Sequence, residues 1–351
     1  MNNQIINRIA FVTRNICIVK QGIVVALCII AMTGCKLLSV EESWHYKITI
    51  KAVDDDAQPV SDMHIGIGDE YGHHSKGNTD KNGLYVATGV AWVNKIAWGL
   101  DKEGYYGSYG IYSSPVDKTT KKMLPWNPVV TTIVRRVINP IPMQAKLVEP
   151  VKVTKLPESF GYDLLVGDWV APRGTGVVND ITFKADGYLK DWTDYHAVLS
   201  LTFLHDTDGV APFIFPQKPS ECVSVPMGSS LIIPHRAPES GYVSHHELNV
   251  SYTPSPDPYA HPARINECEG PVVFRFRIRS STNESGSVTN AYYGQFRNIK
   301  FFPPGLRYPK GEPRDGGLGF TYYLNPTPND KNLEFDPQQT LRREGAMSGS
   351  P

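Results

Sequence analysis

The sequence predicts a mostly β protein, built as a small β-sandwich followed by a larger antiparallel β-sandwich of jelly-roll-like form. Apolar stretches after residue 45 alternate with polar residues or are interrupted by Gly, Pro or Asn-Gly, and long amphipathic helices are hard to find. The chain has 30 glycines and 28 prolines in 351 residues, well above the average usage of about 7% and 5%. Such enrichment is typical of many turns between short strands.

The first 34 residues have the layout of a secretory signal. A basic region contains Arg8, Arg14 and Lys20. It precedes the apolar run "GIVVALCIIAM" (22–32), which is shorter than the roughly 20 apolar residues of a transmembrane helix. The pattern therefore predicts an export signal over residues 1–34.

The end of this signal carries a specific motif. "MTGC" (32–35) resembles the lipobox of bacterial lipoproteins, with Thr33 and Gly34 in the small positions and Cys35 as the lipid acceptor. The resemblance implies acylation (palmitate or a similar chain) and a mature protein held at a membrane by several hydrocarbon chains. Residues 35–44 would be the tether, and Lys36 favours the outer membrane of the cell envelope, with the leaflet undetermined. An uncleaved anchor or a plain signal peptide with a chance cysteine are the alternatives.

Cysteine usage agrees with export. Beyond the signal region the chain contains only Cys222 and Cys268, and two cysteines in an oxidising compartment are expected to form a disulfide. The alternatives are two unpaired thiols or a metal site. Two cysteines without a nearby Cys-x-x-Cys partner make a poor zinc site, and we expect no metal or cofactor.

Charge excludes one class of partner. The chain has 35 basic and 35 acidic residues, with a formal net charge of zero. Binding to nucleic acid normally requires a strongly basic face. The composition therefore predicts no nucleic-acid partner.

Residues 45–138 are expected to form the first sandwich. Alternation and turn residues predict strands within 45–53, 63–69, 77–90, 95–110 and 129–137. "NTDKNG" (78–83) resembles the start of a calcium-binding EF-hand loop, but Gly89 stands where the bidentate Glu is required. Asn82-Gly83 is better explained as hairpin turn chemistry.

A family resemblance accompanies this pattern. Pro59-Val60, "TDKNGLY" (79–85) and "KEGY" (102–105) resemble the carboxypeptidase regulatory-like domain, a prealbumin-like (transthyretin-type) β-sandwich. The resemblance implies an adhesive or scaffolding role and little chemistry. "RRVINPIPMQAK" (135–146) and the segment from residue 161 also resemble parts of uncharacterised bacterial proteins with the same module.

The remaining chain divides into three predicted parts. Residues 139–159 contain four prolines and are expected to form a stiff connector, because proline cannot join a central ladder. Residues 160–337 are expected to form the second sandwich, and residues 338–351 a disordered tail. The strand candidates of the second sandwich are 177–185, 196–205, 229–235, 246–253, 271–280, 291–303, 318–326 and 332–336.

Two sets of candidate ligand-binding residues lie in the second sandwich. In "VFRFRIRS" the alternation places Arg275, Arg277 and Arg279 on one face, where they could hold an anionic glycan or lipid head group. The alternative is an ordinary charged strand face. Aromatic residues clustered in sequence could stack on sugar rings or belong to the core and its rim: Trp169, Trp192, Tyr188 and Tyr195.

The sequence contains no recognisable catalytic signature, such as Gly-x-Ser-x-Gly or His-Glu-x-x-His. It therefore predicts a membrane-anchored envelope lipoprotein that acts as a non-enzymatic binding or structural module. Its expected partners are the membrane, through the lipid, and an envelope glycan or another envelope protein. The alternative is a hydrolase of envelope or extracellular carbohydrate that uses acidic residues of segment 163–194.

Overall fold

The computed structural model describes residues 43–68, 74–191, 194–214, 228–249, 272–304, 315–336 and 341–342. In these ranges the chain forms strands and no helix, so the prediction of a mostly β fold is confirmed. None of the described segments is a helix with the length and apolar character of a membrane span. Cys35, Cys222, Cys268 and Trp192 lie outside the described residues.

The first half forms two facing sheets. Its strands are β1 (Trp44–Val53), β2 (His64–Gly68), β3 (His74–Asn78), β4 (Leu84–Ala91), β5 (Lys95–Asp101), β6 (Ser108–Ser113), β7 (Val116–Asp117), β8 (Lys122–Met123) and β9 (Val129–Ile133). One sheet has the order β4-β1-β8-β7 with β9 also beside β1, and the other contains β6-β5-β2-β3. Alternate residues of β1, β2 and β5, including Ile48, Ile65 and Trp98, fill the core between them.

The turn between β3 and β4 uses the predicted turn residues, but it is not a hairpin, because β3 pairs with β2 and β4 pairs with β1 in the other sheet. The Asp80 carboxylate accepts the backbone N–H groups of Asn82 and Leu84, at 2.8 and 2.9 Å. Gly83 has a φ of 72°, and a Cβ there would lie 2.4 Å from the Ala52 carbonyl oxygen. Only glycine fits this position. Asp80 therefore acts in a turn, as the sequence indicates.

The second half forms two further sheets. Its strands are β10 (Gln144–Val153), β11 (Glu158–Asp163), β12 (Asp168–Trp169), β13 (Ile181–Asp191), β14 (Asp194–Phe203), β15 (Gly209–Ile214), β16 (Gly228–Ser229), β17 (His245–Asn249), β18 (Val272–Thr282), β19 (Val288–Phe302), β20 (Gly316–Leu324) and β21 (Leu341–Arg342). The sheet orders are β12-β11-β13-β14-β17 and β15-β18-β19-β20-β10-β21. An aromatic core that includes Phe160, Phe183 and Phe320 lies between them.

The segment expected to be a connector differs from the prediction. Residues 144–153 form β10, which pairs with β20 inside the six-stranded sheet. Pro150 is tolerated because the ladder shifts register between Val148 and Val151, so no N–H is required at its position. The proline-rich sequence therefore continues the sheet.

The two halves meet at a buried junction. A third apolar cluster combines Tyr106 of the first half with residues of the second half, including Met143, Ile233 and Phe335. Strand β16, from the second half, pairs with β6 at the edge of a sheet of the first. The described residues of both halves thus share a sheet and a core.

Polar contacts accompany this apolar junction. The Arg135 guanidinium donates to the carbonyl oxygens of Leu231 and Ile232, at 2.7 and 3.0 Å. The buried Glu334 carboxylate accepts the backbone N–H groups of Ile138 and Asn139, at 2.6 and 2.8 Å. Each contact joins residues nearly a hundred or more positions apart in the chain.

Candidate functional site

The face of the six-stranded sheet that points away from the aromatic core carries the predicted arginines. Phe274, Phe276 and Ile278 face the aromatic core, and Arg275 and Arg277 point to the opposite side, as the alternation of β18 predicts. Across the ladder, Arg275 lies opposite Gln295 and Arg277 opposite Tyr293 of β19. This face therefore collects cationic and aromatic side chains from two neighbouring strands.

A cleft of about 780 Å³ opens beside Arg277. Six segments line it: the loop between β14 and β15, the 239–242 loop, β18, the β18–β19 turn, β19 and the loop after β20. Its walls combine charged and phenolic side chains, namely those of Arg277, Lys331, Tyr242, Tyr293 and Glu239. Thr207, Ser287, Thr289 and Asn329 add further hydrogen-bonding side chains. Glu239 is the only carboxylate among the residues that line it.

Arg277 is held in place by uncharged groups. Its Nε and Nη2 donate to the Thr207 carbonyl oxygen, with an Nε distance of 2.7 Å. Its guanidinium lies 4.4 Å from the centre of the Tyr242 ring. A carbonyl and a ring orient the guanidinium but carry no negative charge. Arg277 can therefore attract an anionic group into the cleft.

The second cation of the cleft is Lys331. It forms a salt bridge with Glu239, which is 79% exposed, and it lies 5.9 Å from the Tyr293 ring centre. An ion pair with so exposed a partner contributes little and is readily exchanged. A ligand carboxylate could replace Glu239 at Lys331.

Tyr242 lines the cleft and stacks on Arg277. Its hydroxyl oxygen is buried and has no hydrogen-bond partner in the part of the chain that the structure describes. Burial, and then the neighbouring Tyr293, raise the pKa of Tyr242 well above its ordinary value. The phenol therefore remains a neutral hydrogen-bond donor at physiological pH.

The other predicted arginines have different surroundings. Arg275 lies 5.4 Å from the Phe213 ring centre and 3.3 Å from the Pro212 carbonyl oxygen. Arg279 leaves the row, because the ladder shifts register after Ile278 and Arg279 has a φ of 52°. Of the three, the structure places only Arg277 in the cleft.

Arg279 instead joins two aspartates from the acid-rich segment. Its Nε lies 2.7 Å from Asp180 and its Nη2 2.7 Å from Asp163. Burial alone would raise the pKa of Asp163, but backbone N–H groups, chiefly those of Val166 and Val178, lower it below its ordinary value. Burial keeps the pKa of Asp180 raised, although Arg279 opposes it. These carboxylates hold the loop between β11 and β13 against β18.

The described members of the predicted aromatic set do not share one exposed surface. Trp169 is 7% exposed and packs edge-on against Tyr162, with ring centres 4.9 Å apart. Tyr195 is partly buried against the aromatic core, and Tyr188 is 56% exposed. The position of Trp169 matches the core alternative. The binding role of the set stays a prediction.

The neighbouring histidines His245 and His246 of β17 do not converge on one metal site. His245 lies 3.1 Å from the Thr202 hydroxyl, and His246 packs on Phe274 with ring centres 4.9 Å apart, on the opposite face of β17. Within the described ranges no group of three His, Cys, Asp or Glu residues is arranged to hold a metal ion.

Several residues of the cleft could not be found from the sequence. Lys331, Tyr242 and Glu239 come from loops far from β18 in the chain and carry no motif. Tyr293 had an accessible signal, because the predicted strand 291–303 follows β18 and would pair with it. Its position opposite Arg277 depends on the hairpin register.

Comparisons with known proteins return pilins among solved structures. The shaft pilin SpaA from Lactobacillus rhamnosus GG is 11% identical, with 48% of this chain and 91% of that chain covered and a TM-score of 0.19. A streptococcal ancillary pilin is 10% identical, with 63% of each chain covered and a TM-score of 0.20. BcpA, the major pilin subunit of Bacillus cereus, is 8% identical, with 85% of this chain and 98% of that chain covered and a TM-score of 0.21.

These similarities are too low to carry an argument about function. No protein-family model matches the chain. No curated protein matches it either. The function must therefore be argued from the residues themselves.

Proposed function

We propose that this chain is a membrane-anchored envelope lipoprotein that acts as a non-enzymatic binding module, and that the cleft beside Arg277 recognises an acidic carbohydrate. The observation that carries the proposal is the composition of the cleft. One guanidinium, which bonds to no carboxylate among the described residues, lies beside an exchangeable lysine, two tyrosines and several hydroxyl groups.

This combination matches the chemistry of acidic sugars. A sugar carboxylate is an acceptor for Arg277 and Lys331, since charge-assisted hydrogen bonds are the strong ones. Sugar hydroxyl groups both donate and accept, which suits the Ser, Thr and Asn side chains that line the cleft. The faces of Tyr242 and Tyr293 add apolar contact area for the sugar ring. An uncharged glycan would leave the arginine without compensation.

Replacement of Arg277 with glutamine tests this function. The variant should bind polygalacturonate at least about tenfold more weakly than the natural chain, because a hydrogen bond to a charged group contributes about 1.5–3 kcal/mol. Isothermal titration at low salt measures the affinity. Arg136→Gln is the matched control, because Arg136 is exposed and lies over a tyrosine ring, that of Tyr105, outside the cleft.

Two results would contradict the proposal. One is equal affinity of the natural chain for polygalacturonate and for a neutral polysaccharide such as dextran. The other is an Arg277→Gln variant that binds polygalacturonate as tightly as Arg136→Gln does.

The lipid anchor has its own test. Cys35→Ser should abolish incorporation of radiolabelled palmitate in cells, because the thioether to diacylglycerol needs the thiol. Cys17→Ser, within the predicted signal, is the matched control and should be labelled normally. A labelled Cys35→Ser protein, or a natural chain without label, would disprove lipidation while leaving the cleft unaffected.

The alternative, a carbohydrate hydrolase, finds no support in the acidic segment. Asp163 and Asp180, its most buried members, both bind Arg279 and backbone N–H groups. A glycosidase needs two carboxyl groups that flank a bound sugar. These two lie inside the second sandwich, 1% exposed each.

A further inference from the structure

Arg297 of β19 is a buried cation at the junction of the two halves. Its residue is 5% exposed, and Nη1 and Nη2 have no hydrogen-bond partner among the described residues. Its Nε donates to the Gln295 Oε1 at 3.0 Å. Gln295 is fully buried, and its own Nε2 also has no partner in the described ranges. Three nitrogen atoms that can only donate therefore lie together without an acceptor.

Among the described residues, no negative charge lies beside Arg297. None of the salt bridges between described residues includes it. The guanidinium lies 4.9 Å from the centre of the Tyr323 ring. Burial lowers the pKa of Arg297 to about 10, and Tyr323 and Tyr109 act in the opposite direction. The side chain therefore remains a cation at neutral pH.

A cation in this position needs a counter-charge. Removing a charge from water is costly unless an opposite charge and hydrogen bonds compensate it. A ring face compensates part of the charge, and water would accept hydrogen bonds but bring no charge. A monovalent anion would do both, since it accepts several N–H groups at once.

We propose that Arg297 and Gln295 form a binding site for a small inorganic anion such as chloride, buried between the two halves of the chain. The site is separate from the cleft beside Arg277, and it does not depend on the function proposed for that cleft. The ligand is inferred to be an anion because the site offers three donor nitrogens and one positive charge, and no described residue accepts from those nitrogens.

Salt-dependent stability tests the site. We expect the full chain to unfold at a temperature at least about 3 °C higher in chloride than in gluconate at equal ionic strength, because a ligand that binds only the folded state stabilises it. Gluconate is too large for a site with no exposed surface. Arg297→Met, which keeps most of the volume and removes the charge, should show no difference between the two salts.

A matched control separates the site from general salt effects. Arg136 also lies over a tyrosine ring but is exposed, so Arg136→Met should keep the chloride dependence of the natural chain. Equal midpoints of the natural chain in the two salts would overturn the proposal, and so would an equal dependence in Arg297→Met.

A second measurement tests the site on the natural chain, in case Arg297→Met does not fold. Crystals of the natural chain grown in bromide should show an anomalous peak within hydrogen-bonding distance of Nη1 or Nη2 of Arg297. Nitrogens bonded only to water, or to a carboxylate of the chain, would overturn the proposal.

Discussion

Arg279→Met is expected to lower the free energy of unfolding by about 3–5 kcal/mol, because it leaves two buried carboxylates without their cation. Asp163 and Asp180 side chains are 1% and 0% exposed, and Arg279 bonds both at 2.7 Å. The loss is a large fraction of the roughly 5–15 kcal/mol that stabilises a typical domain. Urea unfolding followed by tryptophan fluorescence measures it.

A surface ion pair provides the control for Arg279. Lys152 and Asp315 form a salt bridge at 2.7 Å with side chains 61% and 59% exposed. Lys152→Met should therefore cost no more than about 1 kcal/mol. Combining Arg279→Met with Asp163→Asn and Asp180→Asn should recover part of the loss, since the buried charges are then absent. If Arg279→Met costs no more than Lys152→Met, the three residues do not act as a buried ion group.

Glu334→Ala is expected to lower the free energy of unfolding by about 3 kcal/mol and to loosen the junction locally, since it removes the acceptor of several donors. Glu334 is 1% exposed and accepts the backbone N–H groups of Ile138 and Asn139. The Tyr106 hydroxyl also donates to it, at 3.2 Å. Urea unfolding gives the total cost, and hydrogen exchange of the Ile138 and Asn139 amides reports the local effect.

Two further variants serve as controls for Glu334→Ala. Glu284 is exposed in the β18–β19 turn, so Glu284→Ala should change stability by less than about 0.5 kcal/mol. Glu334→Gln keeps the shape and one acceptor oxygen, and should fall between the natural chain and Glu334→Ala. Unchanged exchange at residues 138 and 139 in Glu334→Ala would show that this carboxylate does not hold the junction.

Much of the fold could be predicted because strand patterning is local. The alternation in "HYKITIKAV" (45–53) predicts β1, observed as Trp44–Val53, and Phe274, Phe276 and Ile278 face the core as their spacing requires. The prediction of a connector at 139–159 was wrong because the bulge that accommodates Pro150 depends on the partner strand β20. A partner distant in the chain leaves no local signal.

The candidate site was predictable only in part, for the same reason. The alternation in β18 indicates Arg277. Arg279 departs from that alternation because of a register shift for which the sequence carries no signal. Lys331 and Tyr242 reach the cleft by loop geometry. The position of Arg277 could thus be predicted from periodicity. The neighbours that define the chemistry of the cleft could be identified only from the tertiary fold.

The pairing of β16 with β6 has a consequence for how the chain assembles during synthesis. Ribosomes deliver the amino-terminal half first, so β6 emerges long before Gly228 and Ser229, which pair with Tyr109 and Ser108. Until then the nascent protein presents an open strand edge, which is a template for unwanted pairing with other chains. Folding of the first half is therefore completed by residues translated well after it.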